Sequence, residues 1–252
     1  MPLLSVENIS VNFGGIRAVD DVSFSVEAGE VFTIIGTNGA GKTSLFNLIS
    51  RIYDSTSGRI MFDGRDITRL PAHEVAGAGI ARTFQNINLF DNATVLDNLM
   101  LGRYRHHRTN LLQQLFFTPA VRREKHADRA QVEMVIDFLD LEKYRDSKID
   151  GLAYGVRKVV ELGRALAIAP RLILLDEPSS GLNPEETADM VFWIQDIKEE
   201  LGITVLMIEH DMSLVAAVSD RVLAMNSGRI LAQGKPAEVQ ADPGVIAAYL
   251  GD

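Results

Sequence analysis

The chain has 252 residues, which suits one large domain or one domain with an inserted lobe, and its hydrophobic (46%) and charged (23%) fractions are those of an ordinary globular protein. Its 34 acidic and 25 basic side chains give a net charge of −9, so no global positive field draws it to nucleic acid. It has no cysteine, which excludes disulfides and thiolate metal sites.

The first residues, MPLLSVENIS, lack the basic start and the long apolar stretch of a signal peptide. No apolar run in the sequence approaches the roughly 18 residues that a membrane-spanning helix requires. We therefore expect any role at a membrane to be that of a peripheral partner.

The first third of the chain has the pattern of strands and turns. Apolar residues predict three strands, at 3–11, 22–26 and 31–35, and a fourth at 59–62. The sequence AGE at 28–30 predicts a hairpin-like turn between the second and third strands.

The segment from Gly36 to Thr43 is GTNGAGKT, a full match to G-x-x-x-x-G-K-T between the strand at 31–35 and a helix-like segment at 44–50. Glycines let backbone N–H groups turn around phosphate oxygens, and the helix presents its positive end to them. Lys42 would reach the β- and γ-phosphates of a nucleotide, and the Thr43 hydroxyl would ligate Mg²⁺. The predicted nucleotide contacts of this loop are Gly36, Asn38, Gly39, Ala40, Gly41, Lys42, Thr43 and Ser44.

Between residues 71 and 170 the pattern is helical. Thr94 is the predicted N-cap of a helix at 95–101, and Gly102 is its predicted end. A second helix with one apolar face is predicted, and Pro170 ends it. The residues on that face are Val156, Val159, Val160, Gly163, Leu166 and Ala167.

A basic stretch lies between residues 101 and 130, a segment that contains seven basic side chains and only two acidic ones. One interpretation is a solvated face of the helical lobe; the other is a surface near anionic headgroups or the cytoplasmic loops of a membrane subunit. Its histidines lack metal-like spacing with other ligands, so no metal site is predicted there. The basic residues are Arg103, Arg105, Arg108, Arg122, Arg123, Lys125 and Arg129.

The apolar run at 172–175 predicts a buried strand that ends in Asp176 and Glu177. An aspartate at the end of a central strand can hold Mg²⁺, and the glutamate beside it can polarise a water that attacks the γ-phosphate. The alternative is that the two acids only begin a loop. No N-K-x-D motif for guanine is present, which disfavours a GTPase.

The last third returns to alternating elements. A helix is predicted near 185–201, a strand at 204–208, and a hairpin of 221–225 with 229–232 around the turn Asn226-Ser227-Gly228. Strands that alternate with helices favour an α/β fold with a mostly parallel sheet covered on both faces.

The order of these elements resembles the nucleotide-binding domain of ATP-binding cassette (ABC) proteins over essentially the whole chain. The resemblance implies a P-loop NTPase (RecA-like) core, with an N-terminal antiparallel β subdomain and an inserted α-helical subdomain. It also implies a single ABC ATPase domain over 1–252, with a core lobe at about 1–85 and 165–252 and a helical lobe at about 86–164.

The resemblance assigns roles to further residues. Phe13, in VNFGGIRAV, corresponds to the aromatic residue that stacks on adenine, and Gln85, in RTFQNINLF, to the glutamine that senses Mg²⁺ and contacts the membrane subunit. His210, in MIEHDM, corresponds to the histidine that contacts the γ-phosphate. The loop at 180–183 corresponds to the place where two ATPase subunits meet, and Asn183 is expected near the nucleotide.

The signature sequence departs from the family pattern. The family usually has LSGGQ, whereas this chain has Leu152-Ala153-Tyr154-Gly155-Val156. Ala153 cannot supply the serine hydroxyl, but the backbone N–H groups and the helix dipole remain to bind the γ-phosphate of the partner's ATP. The LAYG form of the signature and the NPEET, IEHDM and AYLGD segments resemble the corresponding sequences in the ATPase subunits of branched-chain amino acid importers.

The resemblance therefore implies an ATP- and Mg²⁺-dependent ATPase that energises a membrane transporter, with import of branched-chain or other hydrophobic amino acids as the expected cargo. The implied partners are two integral membrane permease subunits, a second ATPase subunit, identical or different, and indirectly a periplasmic or extracellular binding protein, with no nucleic acid. The implied location is the cytoplasmic face of the cell membrane. The alternatives are a soluble ABC-type ATPase acting on nucleic acid or ribosomes, the ATPase of a lipopolysaccharide exporter, and a regulator that has lost hydrolysis.

Overall fold

The structure, a computed structural model, describes residues 2–103 and 118–250. The chain forms two compact units: Met1–Gln85 with Arg171–Asp252, and Asn86–Pro170. Within the described ranges, no helix has both the length and the apolar character needed to cross a membrane.

The strands lie in the first unit. In chain order they are β1 (Leu4–Phe13), β2 (Ile16–Val26), β3 (Val31–Gly36), β4 (Ser57–Phe62), β5 (Arg65–Asp66), β6 (Ile80–Arg82), β7 (Leu172–Asp176), β8 (Thr204–Ile208), β9 (Arg221–Asn226) and β10 (Arg229–Gly234). The helices are α1 (Lys42–Ile49), α2 (Ala72–Ala78), α3 (Val95–Arg103), α4 (Pro119–Phe138), α5 (Tyr154–Leu166), α6 (Pro184–Glu199), α7 (Met212–Val218), α8 (Pro236–Gln240) and α9 (Pro243–Leu250).

A four-stranded antiparallel sheet has the order β2-β1-β4-β5, and β1 pairs with both β2 and β4. A six-stranded sheet has the order β10-β9-β3-β8-β7-β6. Its neighbours from β9 to β6 run parallel, and β10 pairs antiparallel with β9 as the predicted hairpin. Strands β3, β7 and β8 are buried along their whole length, which explains their continuous apolar sequence.

The predicted hairpin turn at 28–30 is wrong, because β2 and β3 belong to different sheets. Glu30 is turned inward, where its carboxylate accepts a hydrogen bond from Glu27 N at 2.7 Å and pairs with Arg221 at 3.2 Å. The turn therefore carries the chain from one sheet to the other, and the buried Glu30 ties it to the start of β9.

The parallel strands bring their carboxyl ends to one edge of the six-stranded sheet. At that edge lie the P-loop after β3, Asp176 at the end of β7, and His210 shortly after β8. In open parallel sheets this edge is where ligands bind. The sheet topology therefore assembles residues that are far apart in the sequence.

In the helical unit, the predicted cap is confirmed and the predicted helix end is wrong. Thr94 Oγ1 accepts a hydrogen bond from Asp97 N at 3.1 Å, as an N-cap residue does. Helix α3 continues through Gly102, where a Cβ atom would lie 2.6 Å from the Arg164 carbonyl oxygen. Gly102 therefore allows α3 to approach the chain at Arg164 closely and does not end the helix.

Part of the basic stretch is paired within the helical unit. Arg103 forms a salt bridge of 2.9 Å with the buried carboxylate of Asp128, and Arg129 lies 3.3 Å from Glu133. Residues 104–117 of this stretch lie outside the described residues. Both interpretations of its surplus charge stay predictions.

Candidate active site

The P-loop follows β3 and leads into α1, and its backbone requires glycine at two positions. Gly36 has a φ of 153° and Gly41 a φ of 99°, a region that side-chain-bearing residues rarely adopt. A Cβ atom at Gly36 would lie 2.3 Å from the Met225 carbonyl oxygen, and one at Gly41 would lie 2.3 Å from that of Ala18. The loop therefore packs directly against two neighbouring backbone segments, which only glycine permits.

Lys42 lies at the start of α1 and is 8% exposed. Its ammonium group donates to the carbonyl oxygens of Gly36 at 2.7 Å and Thr37 at 3.0 Å. Burial lowers the pKa of Lys42, and the charges of Glu177 and Asp176 act in the opposite direction. A partly desolvated cation gains stability from a nearby anion, so the loop favours a phosphate group here.

A cavity of about 490 Å³ opens over the P-loop, within the size range of ligand sites in proteins. Its lining includes every predicted P-loop residue except Gly36, together with four residues that were not predicted: Ile16, Arg17, Ala18 and Ser227. The full lining is Ile16, Arg17, Ala18, Asn38, Gly39, Ala40, Gly41, Lys42, Thr43, Ser44, Gln85, Glu177 and Ser227.

Asp176 and Glu177 lie at the carboxyl end of β7. Asp176 is 3% exposed, and its Oδ2 accepts a hydrogen bond from Arg82 at 3.0 Å. Glu177 has a φ of 51°, a left-handed conformation that costs a glutamate about 1–3 kcal/mol. Its Oε2 accepts a hydrogen bond from Gln85 Nε2 at 2.9 Å. The structure therefore brings together Gln85 and Glu177, which are 92 residues apart in the sequence.

Arg82, which ends β6, was not among the predicted site residues. Besides Asp176, its guanidinium donates to Asn47 Oδ1 at 2.7 Å and to Ser50 Oγ at 2.8 Å, at the C-terminal end of α1 and just beyond it. Arg82 therefore ties the buried carboxylate of Asp176 to the helix that follows the P-loop. The signal in the sequence is an arginine at the end of a short apolar strand, three residues before Gln85.

The oxygen donors at this edge fit Mg²⁺. Carboxylate, hydroxyl and amide oxygens are the ligand atoms that Mg²⁺ prefers, and Asp176, Thr43 and Gln85 supply one of each. Across the described part of the chain, no group of three or more His, Cys, Asp or Glu side chains could hold a metal. Three such oxygen donors suit Mg²⁺, which binds through few protein oxygens and completes its shell with water and phosphate.

His210 follows β8, and its side chain is 58% exposed. Its Nδ1 lies 3.5 Å from Oε2 of the buried Glu209, and its backbone N–H donates to the same oxygen at 2.7 Å. His210 therefore projects from a loop that Glu209 anchors. Glu209 was not among the predicted site residues.

Phe13 ends β1 and is 43% exposed, and it is not among the residues that line the P-loop cavity. Its ring packs edge-on against Tyr53, with centroids 5.1 Å apart. Stacking of Phe13 on adenine stays a prediction.

The signature residues lie in the helical unit. Ala153 is the N-cap of α5 and forms no side-chain capping hydrogen bond, and Gly155 is buried in the first turn. Arg157 donates to the carbonyl oxygens of Leu152 at 3.0 Å and Asp150 at 2.9 Å, which fixes the segment that enters the helix. The anion-binding role of this helix start stays a prediction.

The loop at 180–183 leads into α6. Asn183 Oδ1 accepts hydrogen bonds from Glu185 N and Glu186 N, both at 3.0 Å, and Glu186 Oε2 accepts one from Asn183 N at 3.0 Å. This reciprocal capping box occupies the Asn183 side chain in starting the helix. Its predicted nucleotide contact stays untested.

Comparisons with known proteins agree with this geometry. The family described as "ABC transporter" matches residues 19–180, and "Branched-chain amino acid ATP-binding cassette transporter" matches residues 229–252. The high-affinity branched-chain amino acid transport ATP-binding protein BraF of Pseudomonas aeruginosa is 41% identical, covering 100% of this chain and 98% of the relative. LivG of Escherichia coli, with the same description, is 36% identical over the same shares.

Two solved structures of ATP-binding cassettes from ABC transporters match this chain, and each match covers 100% of both chains. One is in the ADP conformation (TM-score 0.87, 36% identity) and the other is nucleotide-free (TM-score 0.87, 35% identity). The chain therefore belongs to the ABC transporter family and is an ATP-binding cassette ATPase. The predicted family resemblance and fold class are confirmed.

Proposed function

We propose that this chain hydrolyses Mg²⁺-bound ATP to energise a membrane transporter that imports branched-chain or other hydrophobic amino acids. The observation that carries the catalytic part is the hydrogen bond of 2.9 Å that holds Glu177 to Gln85 over the P-loop cavity. The family and the branched-chain amino acid transport relatives support the transport part.

In this proposal Lys42 and the P-loop N–H groups bind the phosphates, and Glu177 accepts a proton from the attacking water. The water oxygen forms a bond to the γ-phosphorus as the bond from that phosphorus to the β–γ bridging oxygen breaks, leaving ADP and phosphate. Gln85 orients the Glu177 carboxylate, and His210 donates a hydrogen bond to the γ-phosphate. The strained backbone of Glu177 fits a residue whose direction is fixed for chemistry.

Thr43, Asp176 and Gln85 would hold Mg²⁺, which neutralises phosphate charge when it is bound. The Asp176 carboxylate is held in place for this by Arg82. The Arg82 guanidinium also compensates the negative charge of the buried Asp176 carboxylate when no metal is present.

Adenine recognition gives a testable prediction. Base–aromatic stacking is worth about 1–3 kcal/mol, so Phe13→Ala is expected to raise the Kd for ATP by roughly 5- to 150-fold, and Phe13→Trp to preserve it. Calorimetric titration measures both. Phe192→Ala, which changes a phenylalanine that is 66% exposed on α6, is the matched control. Equal affinity of the wild type and Phe13→Ala would leave Phe13 with a packing role only.

We also propose the partners and the location. Both units belong to one ABC ATPase domain, which works at the cytoplasmic face of the cell membrane on two integral permease subunits, with a second ATPase subunit and, indirectly, an external binding protein. Leu152–Gly155 of one subunit would act on the ATP that the other subunit's Lys42 binds. The relatives named above are described as branched-chain amino acid transport ATP-binding proteins, which supports a role in such a transport system.

The contact with membrane partners can be tested near Gln85. The chain has no cysteine, and Asn88 is exposed, so Asn88→Cys gives a single reactive position. Crosslinking in intact membranes is expected to join this cysteine to a multi-spanning protein. The control Glu200→Cys, at an exposed position beyond α6, is expected to give no such crosslink. Crosslinks to ribosomal or DNA-bound proteins would favour the soluble ATPase instead.

A further inference from the structure

Glu209 is a carboxylate that the proposed mechanism does not use, and it is 0% exposed. Its Oε1 accepts two hydrogen bonds from Ser179, from N at 2.9 Å and from Oγ at 2.5 Å. Its Oε2 accepts two more, from His210 N at 2.7 Å and Asp211 N at 3.1 Å. Two oxygens of one side chain therefore bind two loops that are 30 residues apart in the sequence.

The chemistry of this contact requires a carboxylate. A buried carboxylate is stable only when hydrogen-bond donors replace water, and each oxygen here receives two. A glutamine would present an NH₂ group to one of the two loops, where donors would then face donors. The side chain is therefore matched to both loops at once and is more specific than a space-filling core residue.

The two loops carry residues with predicted roles at the nucleotide. Ser179 is two residues after Glu177 and directly precedes the loop at 180–183, and His210 is the predicted γ-phosphate contact. The His210 ring nitrogen Nδ1 also lies 3.5 Å from Oε2, so the carboxylate lies beside the ring as well as the backbone. The position of His210 is thus tied to that of the segment after Glu177.

We propose that Glu209 is a positioning residue that holds His210 for the γ-phosphate and keeps it in register with the loop after Glu177. The inference rests on the proposed ATP hydrolysis. Glu209 acts through His210, which it anchors to Ser179, and it does not touch the nucleotide itself. Displacing a catalytic group by about 1 Å can cost up to about 100-fold in rate.

The first test is Glu209→Gln in the full-length chain. It is expected to lower kcat for ATP hydrolysis by roughly 10- to 100-fold and to change the Kd for ATP by less than about threefold, because the P-loop is untouched. Glu200→Gln, at an exposed glutamate, is the control and should keep the wild-type kcat. Thermal unfolding of the same samples separates a loss of positioning from a loss of folded protein.

The second test is a double-mutant cycle in single-turnover hydrolysis. If Glu209 acts through His210, adding Glu209→Gln to His210→Ala slows the reaction by less than about twofold. If the double variant instead shows the product of the two single-variant rate losses, the proposal would be overturned. If Glu209→Gln does not fold, Ser179→Ala, which removes one donor to Oε1, is expected to lower kcat about threefold with unchanged ATP affinity, and an unchanged kcat would contradict us. Absence of hydrolysis by the wild type would instead overturn the proposed function.

Discussion

Glu177→Gln is expected to bind ATP normally and to hydrolyse it about 10²- to 10⁴-fold more slowly, the usual contribution of a general base. The amide keeps the size of the side chain but cannot accept the proton of the attacking water. The hydrogen bond from Gln85 Nε2 to Oε2 locates the carboxylate, so the amide oxygen can still occupy that place. The loss therefore reports basicity and not a collapsed site.

This result is measured as phosphate release under saturating Mg²⁺-ATP, with binding measured separately by calorimetry. Glu185→Gln, at an exposed position in the first turn of α6, is the control, and its turnover should match that of the wild type. Near-normal turnover by Glu177→Gln would show that another group orients or deprotonates the water.

Lys42→Ala is expected to act on binding first. Hydrogen bonds to charged groups contribute about 1.5–3 kcal/mol, so deletion of this ammonium should raise the Kd for ATP roughly 10- to 100-fold. The free protein should lose little stability, because removal of a charge whose burial lowers the pKa of Lys42 offsets the loss of the hydrogen bonds to Gly36 and Thr37.

Calorimetric titration and thermal unfolding of the nucleotide-free chain test these two expectations together. Lys143→Ala, at an exposed lysine of the helical unit, should change neither. Unaltered ATP affinity in Lys42→Ala would remove the P-loop lysine from phosphate binding.

The P-loop and most of the strands could be predicted because their signals are local. A continuous apolar run such as 204–208 matches β8 residue for residue, and the glycines of GTNGAGKT have no other common use between a strand and a helix. The helical pattern predicted for 71–170 was wrong at 80–82, where the short strand β6 joins the six-stranded sheet. Two other errors arose from residues with more than one structural use. The turn at 28–30 has the composition of a hairpin turn, but it connects two strands of different sheets. Gly102 is a residue type that often ends helices, but here it lies inside α3 and allows this helix to approach the backbone at Arg164 closely.

Arg82 and Glu209 could not be found from local patterns. Arg82 meets Asp176 across 94 residues, and Glu209 meets Ser179 across 30, so their functions exist only once parallel strands lie side by side. A single charged residue next to an apolar strand does not reveal its partner. The motifs therefore predicted the groups proposed to contact the nucleotide, while the residues that position those groups required the structure.

The most direct measurement of the central claim is single-turnover hydrolysis of ATP labelled at the γ-phosphate by the purified chain. Lys42, Glu177 and Gln85 line one cavity, with Asp176 at the end of the strand that precedes Glu177, and on this account they form one Mg²⁺-dependent ATPase site. Wild-type protein should release labelled phosphate with Mg²⁺ and stop when the metal is chelated, and Glu177→Gln should keep the label bound as ATP. Release that is independent of Mg²⁺, or equal in Glu177→Gln and wild type, would contradict the account.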